Sequence, residues 1–310
     1  MRYLRIILWR LLAGIGVLWA AASVTFVAMN ATGGDTAIAI LGGPEALPTA
    51  EVIAQVRAEY GLDQPISVQY ARYIGRLATG DLGESYRLRV PVSGAIIEQA
   101  GATLKLAIGA GLVALLIAIT VALATARRNP RLRSVISGTE LVLTAMPNFV
   151  LGLGLLFLFS FQLHLLPVAG DGSAAAMILP ILTLAIPLAA TMTQVLRQEL
   201  DGILEQPFIT TAHTRGLSEA AVRMRHALRH ALVPLVTLFG HMFGFLLGGA
   251  IITETLFARQ GIGRLMADAT ASTDIPMVVG ITLLAAASYV VVNLIVDLLN
   301  AAIDPRGVRA

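Results

Sequence analysis

Six stretches of this chain, 11–29, 106–126, 141–163, 174–196, 231–252 and 277–296, contain no Asp, Glu, Lys or Arg. Each is close to the roughly 20 residues that a helix needs to cross the hydrocarbon core of a bilayer, about twice what a barrel strand needs. One charge at the centre of such a helix costs roughly 2.5–3.5 kcal/mol, so clean runs alternating with charged segments are not accidents of composition. Charged residues make up 13% of the chain, against about 25% in soluble domains. The runs predict an all-α integral membrane protein with about six transmembrane helices.

The first run follows Arg2, Arg5 and Arg10 and contains the small residues Ala20, Ala21, Ala22 and Ser23, features shared with a cleavable signal peptide. Its apolar length suffices to span, and five further runs follow it, so it is read as a helix that stays. The net charge of +3 would suggest nucleic acid in a soluble protein, but the arginines are distributed as a membrane topology signal. They gather at Arg2, Arg5 and Arg10, at Arg127, Arg128, Arg131 and Arg133, through the 197–229 loop, and at Arg306 and Arg309. The loop 162–173 has none, and 257–276 has Arg259 and Arg264. Because short cytoplasmic loops carry the excess of Arg and Lys, both termini are expected in the cytoplasm, with the long 30–101 segment outside. The absence of cysteine removes disulfides and thiolate chemistry.

The external segment carries turn signals at Gly33-Gly34 and Gly42-Gly43-Pro44. Thr49 can cap a short helix ending near Gly61, and Pro65 can open another, whose Ile66, Tyr70, Tyr73, Ile74 and Leu77 share one face before Gly80. Within the runs, Pro147, Pro180, Pro187, Pro234 and Gly248-Gly249 are compatible with bent, closely packed helices.

The stretch 206–231 reads as helix, turn, helix. Gly216 suits the left-handed residue that ends the first helix, Ser218 can cap the second, and Glu219 complements its positive end. Arg223, Arg225 and Arg229 then offer a charged surface at the membrane boundary. A hairpin this short has no core of its own and must bury its apolar side on something. Two readings stay open on residues alone: it docks a partner, or it packs on the helix ends of its own chain.

That hairpin, with Thr211-Ala212, Gly216 and the run His226-Ala-Leu-Arg229, resembles the cytoplasmic loop of type I ABC importer permeases in the dipeptide, oligopeptide and nickel version. Gly61-Leu-Asp-Gln-Pro65, Val68-Gln-Tyr70 and Gly80-Asp-Leu-Gly83 resemble the family's external segment, and Ala145-Met-Pro-Asn-Phe149 its third span. Asn293-Leu-Ile-Val-Asp-Leu-Leu-Asn300 with Asp304-Pro-Arg306 resembles its ending. One departure follows Glu254-Thr-Leu-Phe257, where the family usually has Pro-Gly and this chain has Gln260-Gly261; it predicts a slightly looser external loop.

The resemblance implies a type I importer permease fold, with a first helix and periplasmic helical segment over 1–98 and a transport core over 99–303. The coupling loop would lie at about 205–230, with Thr211, Ala212, Gly216, Leu217, Glu219, His226 and Arg229 as the set that meets an ATPase subunit. It further implies a bacterial inner-membrane complex with a second, homologous permease chain, two ATPase subunits and a periplasmic or lipid-anchored binding protein, moving peptides or nickel chelates. Asn148, Thr191, Gln194 and His241 are polar candidates for the substrate path or for helix-to-helix hydrogen bonds.

No glycine-rich loop ending in Gly-Lys-Ser/Thr occurs, and the only lysine is Lys105, so ATP and magnesium are expected in the partner ATPases, with no cofactor or metal in this chain. A proton- or sodium-coupled secondary transporter is the alternative. Such carriers usually hold ionisable groups in mid-membrane, whereas here only His241 lies within a run, and Glu254 and Asp297 sit near span ends where they can reach an interface. A Ser160–His164 or Ser160–His241 dyad and a His226–His230 or His164–His241 metal pair are conceivable, but spacing alone makes neither.

Overall fold

A computed structural model describes residues 2–31, 36–41, 47–127, 130–170 and 173–303. The turn signals at Gly33-Gly34 and Gly42-Gly43-Pro44, Arg128 and the terminal Asp304, Arg306 and Arg309 lie outside the described residues. Among the described residues every regular element is a helix, with one isolated β-bridge between Glu84 and Pro91.

The long helices are α1 (Arg2–Ala31), α5 (Val92–Thr125), α8 (Ala174–Ile203), α11 (Leu228–Leu256) and α13 (Ile275–Ile303). Between them lie α2 (Thr36–Ile40), α3 (Ala50–Tyr60), α4 (Ile66–Ala78), α6 (Pro130–Ala145), α7 (Asn148–Leu155), α9 (Pro207–Thr214), α10 (Glu219–Ala221) and α12 (Ile262–Ala271). Among the described residues five helical stretches are long and apolar enough to cross a membrane, or six if a bent pair counts as one span.

That bent pair divides the run 141–163, read from the sequence as one span in which Pro147 is compatible with bending. α6 and α7, the latter continued by a π-helical turn Leu156–Gln162, meet at 107°. Pro147 is the cause: it has no N–H to extend α6, and its ring drives Met146 out of helical geometry. At a rise of about 1.5 Å per residue the second arm covers roughly 22 Å, short of the roughly 30 Å hydrocarbon core, so it does not cross as a straight helix on its own.

Two other boundaries differ from the sequence reading. α8 does not end at Leu196 but runs to Ile203, so Arg197 belongs to the helix and not to the following loop. The second arm of the 206–231 hairpin does not stop at 231 either, because Glu219–Leu256 is one helical stretch of 38 residues.

The chain divides into two compact units. One comprises Leu104–Arg259 and Val292–Ala310. Here α5 presents Ala110, Ala114, Ala118 and Ala122, all at 0% exposure. The i, i+4 spacing puts these small side chains in one stripe, over which backbones can approach closely in a medium that supplies no hydrophobic drive. They share a core with Leu184, Leu188, Met192, Leu196 and Leu200 of α8 and with Leu235, Leu246 and Ala250 of α11. Phe257 and Arg259 are buried, and Arg259 donates from Nη1 to the Gly170 carbonyl at 3.2 Å, so the expected looseness after Phe257 is not seen at these residues. Glu254, expected to reach an interface, is 1% exposed.

The other unit comprises Met1–Thr103 and Gln260–Val291. Thr49 Oγ1 caps α3 by accepting from the Val52 N–H, and Gly61 at φ 66° ends it, as the turn chemistry predicts. α4 begins after Pro65 and closes at Thr79, with Gly80 at φ 80°. Its aromatic face packs on α1, with the Tyr70 and Tyr73 rings each 5.3 Å from Phe26. Ile66, at the start of that face, is exposed.

Candidate functional site

The 206–231 hairpin is built by its turn. α9 starts with Pro207, whose missing N–H costs nothing in a first turn. Gly216, at φ 80°, donates to the His213 carbonyl at 2.9 Å and reverses the chain. Ser218 Oγ then accepts from the Ala221 N–H, and Glu219 stands in the first turn beyond. A π-helical turn, Val222–Ala227, follows before α11 resumes regular geometry, with the Leu228 N–H reaching the Arg223 carbonyl. Such turns insert one residue into a helix and are frequent at functional sites.

The hairpin buries its apolar side on its own chain. Ile209, Ala212, Val222 and Ala227 belong to the core cluster that contains Leu196, Leu200 and Ile203, with Leu217 packed against it. Burying one such Ile stabilises by about 1.5–3 kcal/mol. Ala212 therefore acts through packing, behind the surface. Thr211, Gly216, Glu219 and Arg229 are exposed, and His226 is half-buried. Glu219 bridges the two arms, 3.5 Å from His213 Nε2 and 3.7 Å from Arg223 Nε.

Arg223 departs from the expected charged surface. It is buried, and its Nη1 donates to the Leu123 carbonyl of α5 at 3.2 Å. Further anchors tie α5 and α6 to the end of α8. Arg133 Nη1 lies 2.8 Å from Asp201 Oδ2, and the Arg127 N–H donates to Asp201 Oδ1 at 3.0 Å. Deeper in, Arg197 forms a two-pronged pair with Glu140, 3.0 Å from Nη1 to Oε1 and 2.5 Å from Nη2 to Oε2. Ser137 Oγ, at 3.2 Å, and Thr125 Oγ1, at 3.5 Å, take further guanidinium protons. Sequence reasoning missed this pair because each partner sits just beyond the edge of an uncharged run, and nothing in their spacing of 57 residues links them.

The four path candidates do not converge. Asn148 lines a cavity of about 400 Å³ with Thr144, Pro147, Pro187, Phe245 and Ile252, beside the break between α6 and α7. Gly249 admits it, since a Cβ there would stand 3.2 Å from Asn148 Nδ2. Thr191 is half-buried and spends its hydroxyl on the Pro187 carbonyl at 3.2 Å; Gln194 is half-buried. His241 is exposed on α11, its Nδ1 2.8 Å from the Thr237 carbonyl, one turn from Phe245.

The rival chemistries are not assembled. Ser160 Oγ is buried with no hydrogen-bond partner among the described residues, and His164 Nδ1 faces the Gln162 carbonyl. His230 lies against the Phe208 ring at 5.3 Å, and no group of three or more His, Asp or Glu among the described residues could hold a metal.

Known proteins extend these observations. The family described as "Binding-protein-dependent transport system inner membrane component" matches residues 114–308, and its N-terminal companion matches residues 3–107. The glutathione transport system permease protein GsiC of Salmonella paratyphi A is 38% identical over 306 residues, covering 97% of this chain and 98% of its own. Its counterpart in Escherichia coli (strain K12) is 36% identical over 303 residues with the same coverage. A solved chain of an amino acid ABC transporter superposes at TM-score 0.48 and 19% identity, over 69% of this chain and 94% of that one. That likeness is too loose to carry weight, so the assignment rests on sequence.

Proposed function

This chain belongs to the family of binding-protein-dependent transport system inner membrane components and is a permease subunit of an ABC importer of the peptide type; from that premise we propose that it imports glutathione or a similarly small peptide. The relatives' names support glutathione. A nickel chelate, the other cargo implied by the hairpin's resemblance, has no support of that kind. The protein is a multi-pass inner-membrane component, and we place both termini in the cytoplasm from the arginine distribution.

Import would require a second permease chain, two ATPase subunits holding ATP and magnesium, and an external binding protein. This chain would catalyse no bond chemistry and need no cofactor of its own. No observation favours a proton- or sodium-coupled carrier. Glu140 and Arg197, both buried, satisfy each other.

The observation that carries the coupling reading is the continuity of the hairpin with a membrane span. A push on the exposed turn at Thr211, Gly216 and Glu219 acts on a rigid 38-residue stretch, with Ala212 and Leu217 preventing the elbow from sliding on the core. His226 and Arg229 lie on the first turns of that lever. Bistable elements of this kind convert a local displacement into rigid-body motion. The transport core would span about 99–303, with Asn148, Thr191, Gln194 and His241 near the path.

Gly216→Val tests the elbow. A residue with a Cβ held in left-handed geometry costs about 1–2 kcal/mol, and open space around Gly216 means that strain, not a clash, is the effect. The reconstituted importer should keep hydrolysing ATP while uptake of labelled glutathione falls at least tenfold, and Gly216→Asn should retain most uptake. Unchanged uptake and ATPase stimulation in Gly216→Val would remove the hinge assignment. Parallel uptake of a labelled dipeptide and of labelled nickel decides the cargo.

A further inference from the structure

A second cavity lies outside the unit formed by Leu104–Arg259 and Val292–Ala310. It measures about 1080 Å³ and lies within the compact unit that holds the external segment. Small-ligand pockets run to about 1,000 Å³ and are usually pre-formed.

Its charged lining is balanced, with guanidiniums at Arg72, Arg76 and Arg89 and carboxylates at Glu59, Asp81 and Glu84. Arg72 and Arg76 stand one turn apart on α4, so their heads emerge side by side. Both are exposed, and among the described residues no carboxylate pairs with either. The aromatic lining includes Tyr60, Tyr73 and Tyr86. Burial pushes the Tyr73 and Tyr86 phenols up to about 12, with the nearby Arg76 charge opposing it, so both stay protonated at physiological pH.

The walls are fixed independently of any ligand. Asp274, 2% exposed, accepts from the Ser85 hydroxyl and from the N–H groups of Tyr86 at 3.1 Å and Arg87 at 3.3 Å, which locks the 85–87 turn. Arg89 Nη2 donates to the Ile40 carbonyl at 2.8 Å, which ties one guanidinium arm of Arg89 to the wall. Gln69 Nε2 donates to the carbonyls of Leu62 and Gln64, holding the base of α4 against the turn after α3.

We propose that this cavity is an external vestibule that takes a small zwitterionic peptide, its carboxylate on Arg72 and Arg76 and its ammonium toward the Glu59, Asp81 and Glu84 side. Paired guanidiniums suit a carboxylate, because each offers parallel N–H donors to both oxygens. A lining of both signs suits a molecule that carries both, and rejects one whose carboxylate has been removed, since a guanidinium drawn toward it is left without a partner. The assignment rests on the permease reading and deepens it, giving the cargo a station of its own on this chain.

The test uses the assembled permease and ATPase complex in nanodiscs, without binding protein. Equilibrium dialysis measures labelled glutathione, alanyl-alanine and alanyl-alanine amide. Saturable binding of the two free acids is expected, with the amide at least tenfold weaker. Arg72→Gln/Arg76→Gln should lower the affinity for the acids at least tenfold, and Arg72→Lys/Arg76→Lys by about threefold or less. If the glutamine pair does not assemble, the amide comparison and the lysine pair decide.

No saturable binding, equal binding of the amide, or unchanged affinity in the glutamine pair overturns the vestibule. So does a glutamine pair that weakens docking of the binding protein while peptide binding persists, because the cavity then serves a protein partner. Uptake by the complete importer in proteoliposomes separates the two claims. If glutathione and dipeptide enter while dialysis is negative, only the vestibule falls; if no peptide enters at all, the permease cargo itself is wrong.

Discussion

The Glu140–Arg197 pair lends itself to a quantitative test because both side chains are 6% exposed and the contact is two-pronged. Desolvating two charges is expensive, and their attraction roughly repays it only while both are present. Removing one partner, as in Glu140→Leu or Arg197→Met, strands the other and should cost about 3–5 kcal/mol. At about 2 °C per kcal/mol, the lower end of the range for large domains, each single variant should melt roughly 6–10 °C below the parent. The double variant Glu140→Leu/Arg197→Met replaces the pair with apolar groups of similar volume and should recover to within about 2 kcal/mol of the parent, or roughly 4 °C. The loss should also resist salt, since buried pairs are poorly screened. The chain has no cysteine for thiol-reactive dyes, so the folded fraction after heating is best read by fluorescence-detected gel filtration of the detergent-solubilised complex. Single variants that melt with the parent, or a double variant that loses the sum of both singles, would show that the pair does not brace α6 against α8.

Gly240→Ala should destabilise by about 1–3 kcal/mol through overpacking, since its Cβ would stand 2.5 Å from Val296 Cγ2, a stiff β-branched neighbour; Val296→Ala should rescue it, and Gly248→Ala, facing open space, should be silent in the same melting assay. In an alkaline titration followed at 295 nm, Tyr73 and Tyr86 should ionise near pH 12 instead of 10, and Tyr86→Phe should remove part of that late step. Because these pKa values are raised by folding, their contribution to stability is complete below pH 10 and should be lost as pH rises from 10 toward 12.

The turns were legible because their chemistry is local. Thr49, Gly61, Ser218 and Gly216 each satisfy a cap or a positive φ that a few neighbouring residues impose, and each appears where that requirement places it. The break at Pro147 was half legible. A proline inside an apolar run announces a disturbance, but Pro180 and Pro187 sit inside a continuous α8 while Pro147 begins a new direction. Neighbouring helices decide between a tolerated proline and a broken span. Arg197 and Arg223 show the limit in the other direction. A charge next to an apolar run reads as loop or surface, yet Glu140 and the Leu123 carbonyl, distant in sequence, draw these two inside.

What the chain alone determined is its solvent and its elements. Uncharged runs of membrane length, arginines biased to alternate loops and a capped glycine turn all follow from transfer free energy and backbone sterics, which act over a few residues at a time. The tertiary structure decided which polar groups meet. The Glu140–Arg197 pair and the Asp274 clasp on the 85–87 turn join segments dozens to nearly two hundred positions apart. Such meetings depend on how helices pack, and packing is a property of faces brought together in space, invisible along a single line of residues.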